Sequence, residues 1–225
     1  MKQHIPNLLT CGNVFCGSLG IIFCADNQLV TATYLIFLAG IFDFFDGFAA
    51  RALKVSSPIG KELDSLADMV SFGVLPAFIL YKLILPLDQN FAYVALLISV
   101  FSALRLAKFN VDTRQSESFI GVPTTANAPL ISSLPVIIEQ HPTWQPYIQN
   151  LYLLVGLAVV MSFLLVSELP LIALKFKEYS FVNNKFKYIL LISSILLFVF
   201  LQFAAVPLIL VLYILLSVIK NITDR

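Results

Sequence analysis

The chain has 225 residues and a formal net charge of +1, and 59% of its residues are hydrophobic whereas only 12% are charged. Soluble domains carry about 25% charged residues, so this composition excludes a soluble globular protein and indicates a helical membrane protein. Without a basic run or a large positive charge, a nucleic-acid partner is not expected. The three cysteines Cys11, Cys16 and Cys24 form no CxxC pair and have no histidine cluster nearby, which argues against a zinc site.

Taken in chain order, the sequence predicts an all-α, polytopic membrane protein with about eight transmembrane helices. Residues 1–13 are weakly amphipathic and predict an interfacial segment that leads into the first span. The fifth predicted span contains Pro129 and Pro135 and is therefore expected to be kinked. The predicted spans cover residues 11–27, 29–53, 59–85, 90–109, 123–139, 149–173, 187–201 and 203–219.

The basic residues predict the orientation of these spans. With eight spans and a cytoplasmic amino terminus, 13 of the 14 Lys and Arg residues fall on the inner side, and only Lys82 falls outside. Such a bias is the positive-inside pattern of membrane proteins. Both termini are therefore predicted to be cytoplasmic.

Acidic residues are concentrated in one window, residues 43–68, between two apolar runs. Carboxylates at membrane depth are costly and normally face a cavity, a metal ion or a partner charge. Their spacing places them on one face of each of two successive helices. The first face carries Asp43, Asp46, Gly47 and Ala50, and the second carries Gly60, Asp64 and Asp68.

If these two helices pack antiparallel, their four aspartates converge on a small volume. Four negative charges can share such a volume only when cations compensate them, and hard divalent ions such as Mg²⁺ or Mn²⁺ prefer oxygen ligands. Two alternatives remain open from the residues alone. The acids could form a solvated loop neutralised by Arg51, Lys54 and Lys61, or they could mark the path of a cation transporter.

The same window carries a long sequence motif. It has the form D-x-x-D-G-x-x-A-R, eight intervening residues, and G-x-x-x-D-x-x-x-D, read here as DFFDGFAAR (43–51) and GKELDSLAD (60–68). This pattern resembles the signature of the CDP-alcohol phosphotransferases, without a gap or substitution. The resemblance implies a two-metal transferase that acts on a CDP-linked donor.

The resemblance also implies roles for individual residues. Two divalent cations would be held by Asp43, Asp46, Asp64 and Asp68, and Asp68 would in addition take the proton of the acceptor hydroxyl. The CDP group would be bound by Gly47, Ala50, Arg51 and Gly60. Asn13, in the stretch PNLLTCGN, is a further nucleotide-site candidate, with ordinary helix capping as its alternative role.

The acceptor is predicted from a second part of the chain. GKELDSLADMVSFGVLPA, RLAKFN (105–110) and GVP (121–123) resemble the phosphatidylserine synthase branch, although Lys108 stands where Arg is more frequent. That branch implies CDP-diacylglycerol and L-serine as substrates. Serine needs a cation for its carboxylate, but glycerol 3-phosphate or inositol phosphate would also need a cation for its phosphate. Alternatively, the basic residues of this region could contact lipid headgroups. The acceptor-binding candidates are Arg105, Lys108, Asn110 and Arg114.

The family resemblance covers about the first 130 residues and weakens beyond them, but it also bears on how the chain is organised. It implies a single membrane domain over residues 1–225, with a six-helix catalytic core at about 5–173 and two additional helices at about 185–220. It further implies a homodimer in the cytoplasmic membrane, with the active site facing the cytoplasm.

Overall fold

The computed structural model describes residues 4–55, 57–111, 119–172 and 181–223, and Arg114 lies outside these ranges. Almost every described residue is helical, so the predicted helical architecture is confirmed. The α-helices are α1 His4–Ala25, α2 Leu29–Leu53, α3 Pro58–Asp68, α4 Leu75–Ile84, α5 Gln89–Ala92, α6 Leu97–Val111, α7 Thr124–Gln140, α8 Gln145–Ile148, α9 Leu151–Val166, α10 Phe181–Leu201 and α11 Ala205–Thr223.

Shorter elements join these helices. A π-helical turn connects α3 to α4, and 3₁₀ turns lie between α5 and α6, between α7 and α8, and between α10 and α11. One small antiparallel ladder was not predicted, in which strand β1 (Phe119–Ile120) pairs with β2 (Pro170–Leu171). The connecting elements are Met69–Val74, Tyr93–Leu96, Pro142–Trp144 and Gln202–Ala204.

Within the described ranges, five helical segments are long and apolar enough to cross a membrane, and the bent pair Pro142–Ile148 and Leu151–Val166 provides a sixth candidate. The protein is therefore a polytopic helical membrane protein. Eight spans were predicted, two more than these six candidates, and the difference arises at two places. Helix α7 has only 17 residues, about 25 Å, and the final segment Asn184–Thr223 counts as one 40-residue helix.

That final segment is nevertheless a pair of helices. A straight helix of 40 residues would be about 60 Å long, twice the hydrocarbon thickness of a bilayer. Gln202 adopts a left-handed backbone conformation (φ 49°), and α10 packs against α11 beyond it. The chain therefore reverses near Gln202, where the sequence predicts the turn between its last two spans.

The first helix starts earlier than predicted. Residues assigned to an interfacial segment, from His4 onward, are continuous with α1. Helix α1 packs along both α2 and α3, the two helices that carry the acidic residues. Small residues permit this close approach, since a Cβ atom added at Gly17 would lie 2.8 Å from the Cα atom of Ser71.

The short connection between α2 and α3 determines how the acidic face of one helix is positioned relative to that of the other. Lys54 ends α2 in the left-handed conformation (φ 53°), and its backbone N–H bonds to carbonyl oxygens of the last helical turn. Ser57 caps α3, because its Oγ accepts a hydrogen bond of 3.0 Å from the backbone N–H of Gly60, and Pro58 occupies the first helical position. These local signals place the acidic end of α2 beside α3.

We expect Gly17→Ala to lower stability by about 1–3 kcal/mol, because the new methyl group would displace the backbone of Ser71 in the π-helical turn that follows Asp68. The measurement is thermal unfolding in detergent. Gly156→Ala is the matched control, since a Cβ there meets nothing within 4 Å and alanine favours a helix interior over glycine. Equal unfolding temperatures for the two variants would contradict the expectation.

Candidate active site

Three of the four predicted aspartates form one cluster. Asp43 on α2 and Asp64 and Asp68 on α3 each present a carboxylate oxygen, and these oxygens lie within 4.8 Å of one another. All three side chains are partly buried. The structure therefore brings together three of the four aspartates that the sequence spacing places on facing helices.

The fourth aspartate lies beside this cluster and has a different partner. Asp46 is 6% exposed, and its Oδ2 accepts a 2.7 Å hydrogen bond from the hydroxyl of Thr10 on α1. Asp46 and Asp43 both repel the carboxylate of Asp64 electrostatically. The group of three thus has a fourth negative charge close to it, held in place by a threonine that the sequence motif does not include.

Helix α1 also holds Asp68. The side-chain amide of Asn13 is fully buried, and its Nδ2 donates a 3.3 Å hydrogen bond to Asp68 Oδ1. The hydroxyl of Ser71, in the π-helical turn, donates to the backbone carbonyl of Asn13. π-Helical turns within α-helices are frequent at functional sites. The sequence predicts that Asn13 contacts the nucleotide, whereas in the structure its amide donates a hydrogen bond to Asp68.

The carboxylate cluster fits divalent cations. The oxygens of Asp43, Asp64 and Asp68 lie within 4.8 Å of one another, and carboxylates this close repel one another unless protons or cations lie between them. Among the described residues, no Lys or Arg forms an ion pair with the three aspartates. Oxygen ligands at this spacing suit Mg²⁺ or Mn²⁺, so the cluster is a candidate metal site.

A cleft of about 210 Å³ opens on one side of the cluster, between α1, α2 and the start of α3. It contains three of the predicted nucleotide-site residues, Gly47, Ala50 and Gly60, together with Asp46 and Asp64. A side chain at Gly60 would lie within 3.1 Å of both Ser57 and Asn7, so glycine keeps this wall open. The remaining lining residues are Pro6, Asn7, Thr10, Val55, Ser57 and Lys61.

Arg51, like Asn13, is a predicted nucleotide-site residue that does not line this cleft. It is exposed, and its guanidinium lies beside Gly47, where an added Cβ would be 3.3 Å from Nη1. Its charge also attracts Asp46. Arg51 therefore lies at the rim of the cleft, one helical turn from Gly47.

A larger chamber of about 710 Å³ lies on the other side of the cluster and is mostly apolar. Asp43, Asp64 and Asp68 form its acidic end. Asp64 borders both the cleft and the chamber, so the cluster separates two cavities that meet at this carboxylate. Beyond the acids, the chamber walls come from α6, α7, α10 and α11.

Arg105 on α6 is the buried cation of this chamber. It is 8% exposed, and its guanidinium lies 5.6 Å from the ring centre of Phe109. Within the described ranges its hydrogen bond is a long one, of 3.5 Å from Nη1 to Thr124 Oγ1. Its Nε has no partner among the described residues. A buried guanidinium without a bound carboxylate is energetically costly, which makes Arg105 a candidate anion-binding group.

The other predicted acceptor residues are distributed differently. Asn110 lines the chamber, where its Nδ2 donates a 3.0 Å hydrogen bond to Ser65 and its backbone carbonyl accepts from Lys61. Lys108 is 44% exposed and pairs instead with Glu168 at 3.6 Å. The structure therefore brings Arg105 and Asn110 to the acids and leaves Lys108 at the surface.

Several site residues were not predicted from the sequence. Asn7 and Lys61 line the cleft, Thr10 binds Asp46, and Thr124 and Tyr213 line the chamber near Arg105. Asn7 and Thr10 share one face of α1 with Asn13, and that spacing was the available signal. Tyr213 lies in an apolar helix that carries no motif.

Comparison with known proteins tests the family resemblance. Residues 3–164 match the sequence profile described as CDP-alcohol phosphatidyltransferase, which is well over half of the chain. The protein belongs to this family. The matched stretch contains the three clustered aspartates, the cleft and Arg105, and it ends in α9, so that α10 and α11 lie beyond it.

Curated relatives of this family member carry one recurring name, CDP-diacylglycerol–serine O-phosphatidyltransferase. The protein of Helicobacter pylori (strain J99) is 35% identical over 170 residues, 73% of this chain and 70% of its own length. The protein of Bacillus subtilis is 41% identical over 122 residues, 54% of this chain and 69% of its own. That of Methanocaldococcus jannaschii is 33% identical over 220 residues, 97% of this chain and 94% of its own, and so includes the last two helices.

Proposed function

We propose that this protein transfers the phosphatidyl group of CDP-diacylglycerol to the hydroxyl of L-serine, giving phosphatidylserine and CMP. The observation that carries the proposal is the carboxylate cluster that borders both cavities, in a family member whose relatives are named for this reaction. The cleft would take the cytidine nucleotide. The apolar chamber would take the acyl chains, and its end near Arg105 would take serine.

The bound substrates would meet at the cluster. The serine oxygen forms a bond to the phosphorus that carries diacylglycerol, the bond from that phosphorus to the bridging oxygen breaks, and CMP leaves with the bridging oxygen and its electrons. The proton of the serine hydroxyl goes to Asp68, whose carboxylate Asn13 holds in a fixed orientation. The Arg105 guanidinium positions the serine carboxylate at the acidic end of the chamber.

The family chemistry implies two divalent cations, Mg²⁺ or Mn²⁺, with Asp43, Asp46, Asp64 and Asp68 as their ligands. Bound there, they would neutralise the diphosphate and the charge on the leaving oxygen. The clustered oxygens of Asp43, Asp64 and Asp68 support this assignment, whereas Asp46 would turn one oxygen from Thr10 or use the other. Gly47, Ala50 and Gly60 keep the nucleotide cleft open beside these ligands.

The same proposal places the protein in the cytoplasmic membrane with the active site on the cytoplasmic side. The bias of the basic residues supports this orientation, because the acids lie near the ends of α2 and α3 that the same bias assigns to the inner face. We also infer a homodimer from the family resemblance, and cross-linking in membranes would detect it.

The function is tested by supplying purified protein with CDP-diacylglycerol, Mg²⁺ or Mn²⁺, and L-serine, and following CMP and the lipid product. We expect CMP release that requires serine and a divalent cation. Glycerol 3-phosphate and inositol phosphate serve as alternative acceptors in parallel reactions. Release that is equally fast with either of them, or no release with serine, would contradict the proposal. Cation flux into proteoliposomes without substrate would instead indicate a transporter.

A further inference from the structure

Helix α11 carries a stripe of polar residues, Tyr213, Ser217 and Asn221, at intervals of four residues and therefore on one face. All three bond to the backbone of residues 170–172. The Tyr213 hydroxyl donates to the Ile172 carbonyl at 3.0 Å, Ser217 Oγ accepts from the Ile172 N–H at 3.1 Å, and Asn221 Nδ2 donates to the Pro170 carbonyl at 2.7 Å. The stripe fixes α11 against β2.

Among the described residues that line the chamber, Tyr213 is the only one of these three. It shares the chamber with Arg105 and Asp68. The phenol of Tyr213 and the guanidinium of Arg105 are close enough to interact electrostatically, and so are Arg105 and Asp68. Tyr213 therefore belongs to the polar end of the chamber, where the acceptor would bind.

The hydrogen bond to Ile172 determines what the Tyr213 oxygen can recognise. A phenol has one hydrogen to donate, and here that hydrogen is directed to the Ile172 carbonyl. The phenol oxygen then offers only lone pairs to the chamber, so it can accept from an ammonium group. It cannot donate to a phosphate oxygen, and its lone pairs would repel one.

We propose that Tyr213 binds the ammonium group of the serine acceptor, while Arg105 takes its carboxylate and Asp68 its hydroxyl. This proposal rests on the proposed function. It makes Tyr213 a specificity-determining residue, since glycerol 3-phosphate and inositol phosphate carry no ammonium group. It also gives α11, which lies beyond the matched family region, a role in choosing the acceptor.

The test is steady-state kinetics of Tyr213→Phe with L-serine. A hydrogen bond to a charged group is worth about 1.5–3 kcal/mol, so we expect KM for serine to rise about tenfold or more. We expect kcat and the KM for CDP-diacylglycerol to stay within about twofold, because the phenol would contact neither the reacting phosphorus nor the nucleotide. The Ki of 3-hydroxypropionate, which lacks the amino group, should change far less than the KM for serine.

Two control variants separate recognition from packing. Ser217→Ala removes the hydrogen bond between the Ile172 N–H and α11 without altering the chamber lining. Tyr152→Phe removes a tyrosine hydroxyl from a residue that is 85% exposed. We expect both to keep the wild-type KM for serine. An unchanged KM in Tyr213→Phe, an equal rise in Ser217→Ala, or an equal loss of 3-hydroxypropionate binding would overturn the proposal. Wild-type protein that releases no CMP with serine would instead overturn the proposed function itself.

Discussion

Asp64→Asn is expected to reduce CMP release by at least about a thousandfold at every concentration of Mg²⁺ or Mn²⁺. Asp64 is one of the three clustered carboxylates, and it borders both the cleft and the chamber. Asparagine has nearly the same size but no negative charge. The substitution therefore removes one charged oxygen of the proposed metal site without opening a cavity.

The measurement is CMP release over a titration of each metal, together with metal binding by calorimetry in detergent. Glu62→Gln is the matched control, because Glu62 lies on the same helix, is exposed and is outside both cavities. We expect the control to keep wild-type activity. Recovery of Asp64→Asn at high metal concentration would show that Asp64 contributes only to affinity, and unchanged activity would remove it from the metal site.

The three-carboxylate cluster could be predicted because its determinants are local. Asp64 and Asp68 are four residues apart on one helix, and Asp43 lies on the helix before it. The left-handed Lys54 and the Ser57 cap shorten the connection between the two helices. Both helices pack against α1, and their acidic side chains meet there. Helical period and capping chemistry are both readable in a sequence.

The position of Asp46 could not be predicted in the same way. Its spacing places it on the face of Asp43, yet its carboxylate bonds to Thr10, which lies 36 residues earlier in the chain. That contact depends on how closely α1 packs against α2, and hence on small residues such as Gly12, where an added Cβ would lie 2.9 Å from the Phe42 ring. A pattern within one helix carries no information about which side chain of another helix lies opposite.

The same limit applies to the acceptor end of the chamber. Arg105 and Lys108 are three residues apart and were equal candidates, but α6 buries the first beside Thr124 and leaves the second at the surface with Glu168. Tyr213 reaches the chamber from a helix more than 100 residues later in the chain. Its polar partner is a backbone carbonyl, which no side-chain motif encodes.

Replacement of Arg105 tests the acceptor site most strongly. We expect Arg105→Gln to raise KM for serine about a hundredfold or more, because the proposed bidentate guanidinium–carboxylate pair could not form. Arg105→Lys should give an intermediate value, because lysine keeps the charge without the forked geometry of the guanidinium. The KM for CDP-diacylglycerol should change little, since Arg105 does not line the cleft proposed for the nucleotide. Lys108→Gln is the control and should behave as wild type, because Lys108 lies outside the chamber.

Thermal unfolding of the same variants separates binding from folding. Among the described residues, the buried Arg105 has no partner for its Nε and no paired carboxylate. Its charge is therefore a cost in the folded protein that serine would offset on binding. We therefore expect Arg105→Gln to unfold at the same temperature as wild type or higher, while its serine KM rises. A lower unfolding temperature with an unchanged KM would make Arg105 a structural residue, and the serine carboxylate would then need another cation in the chamber.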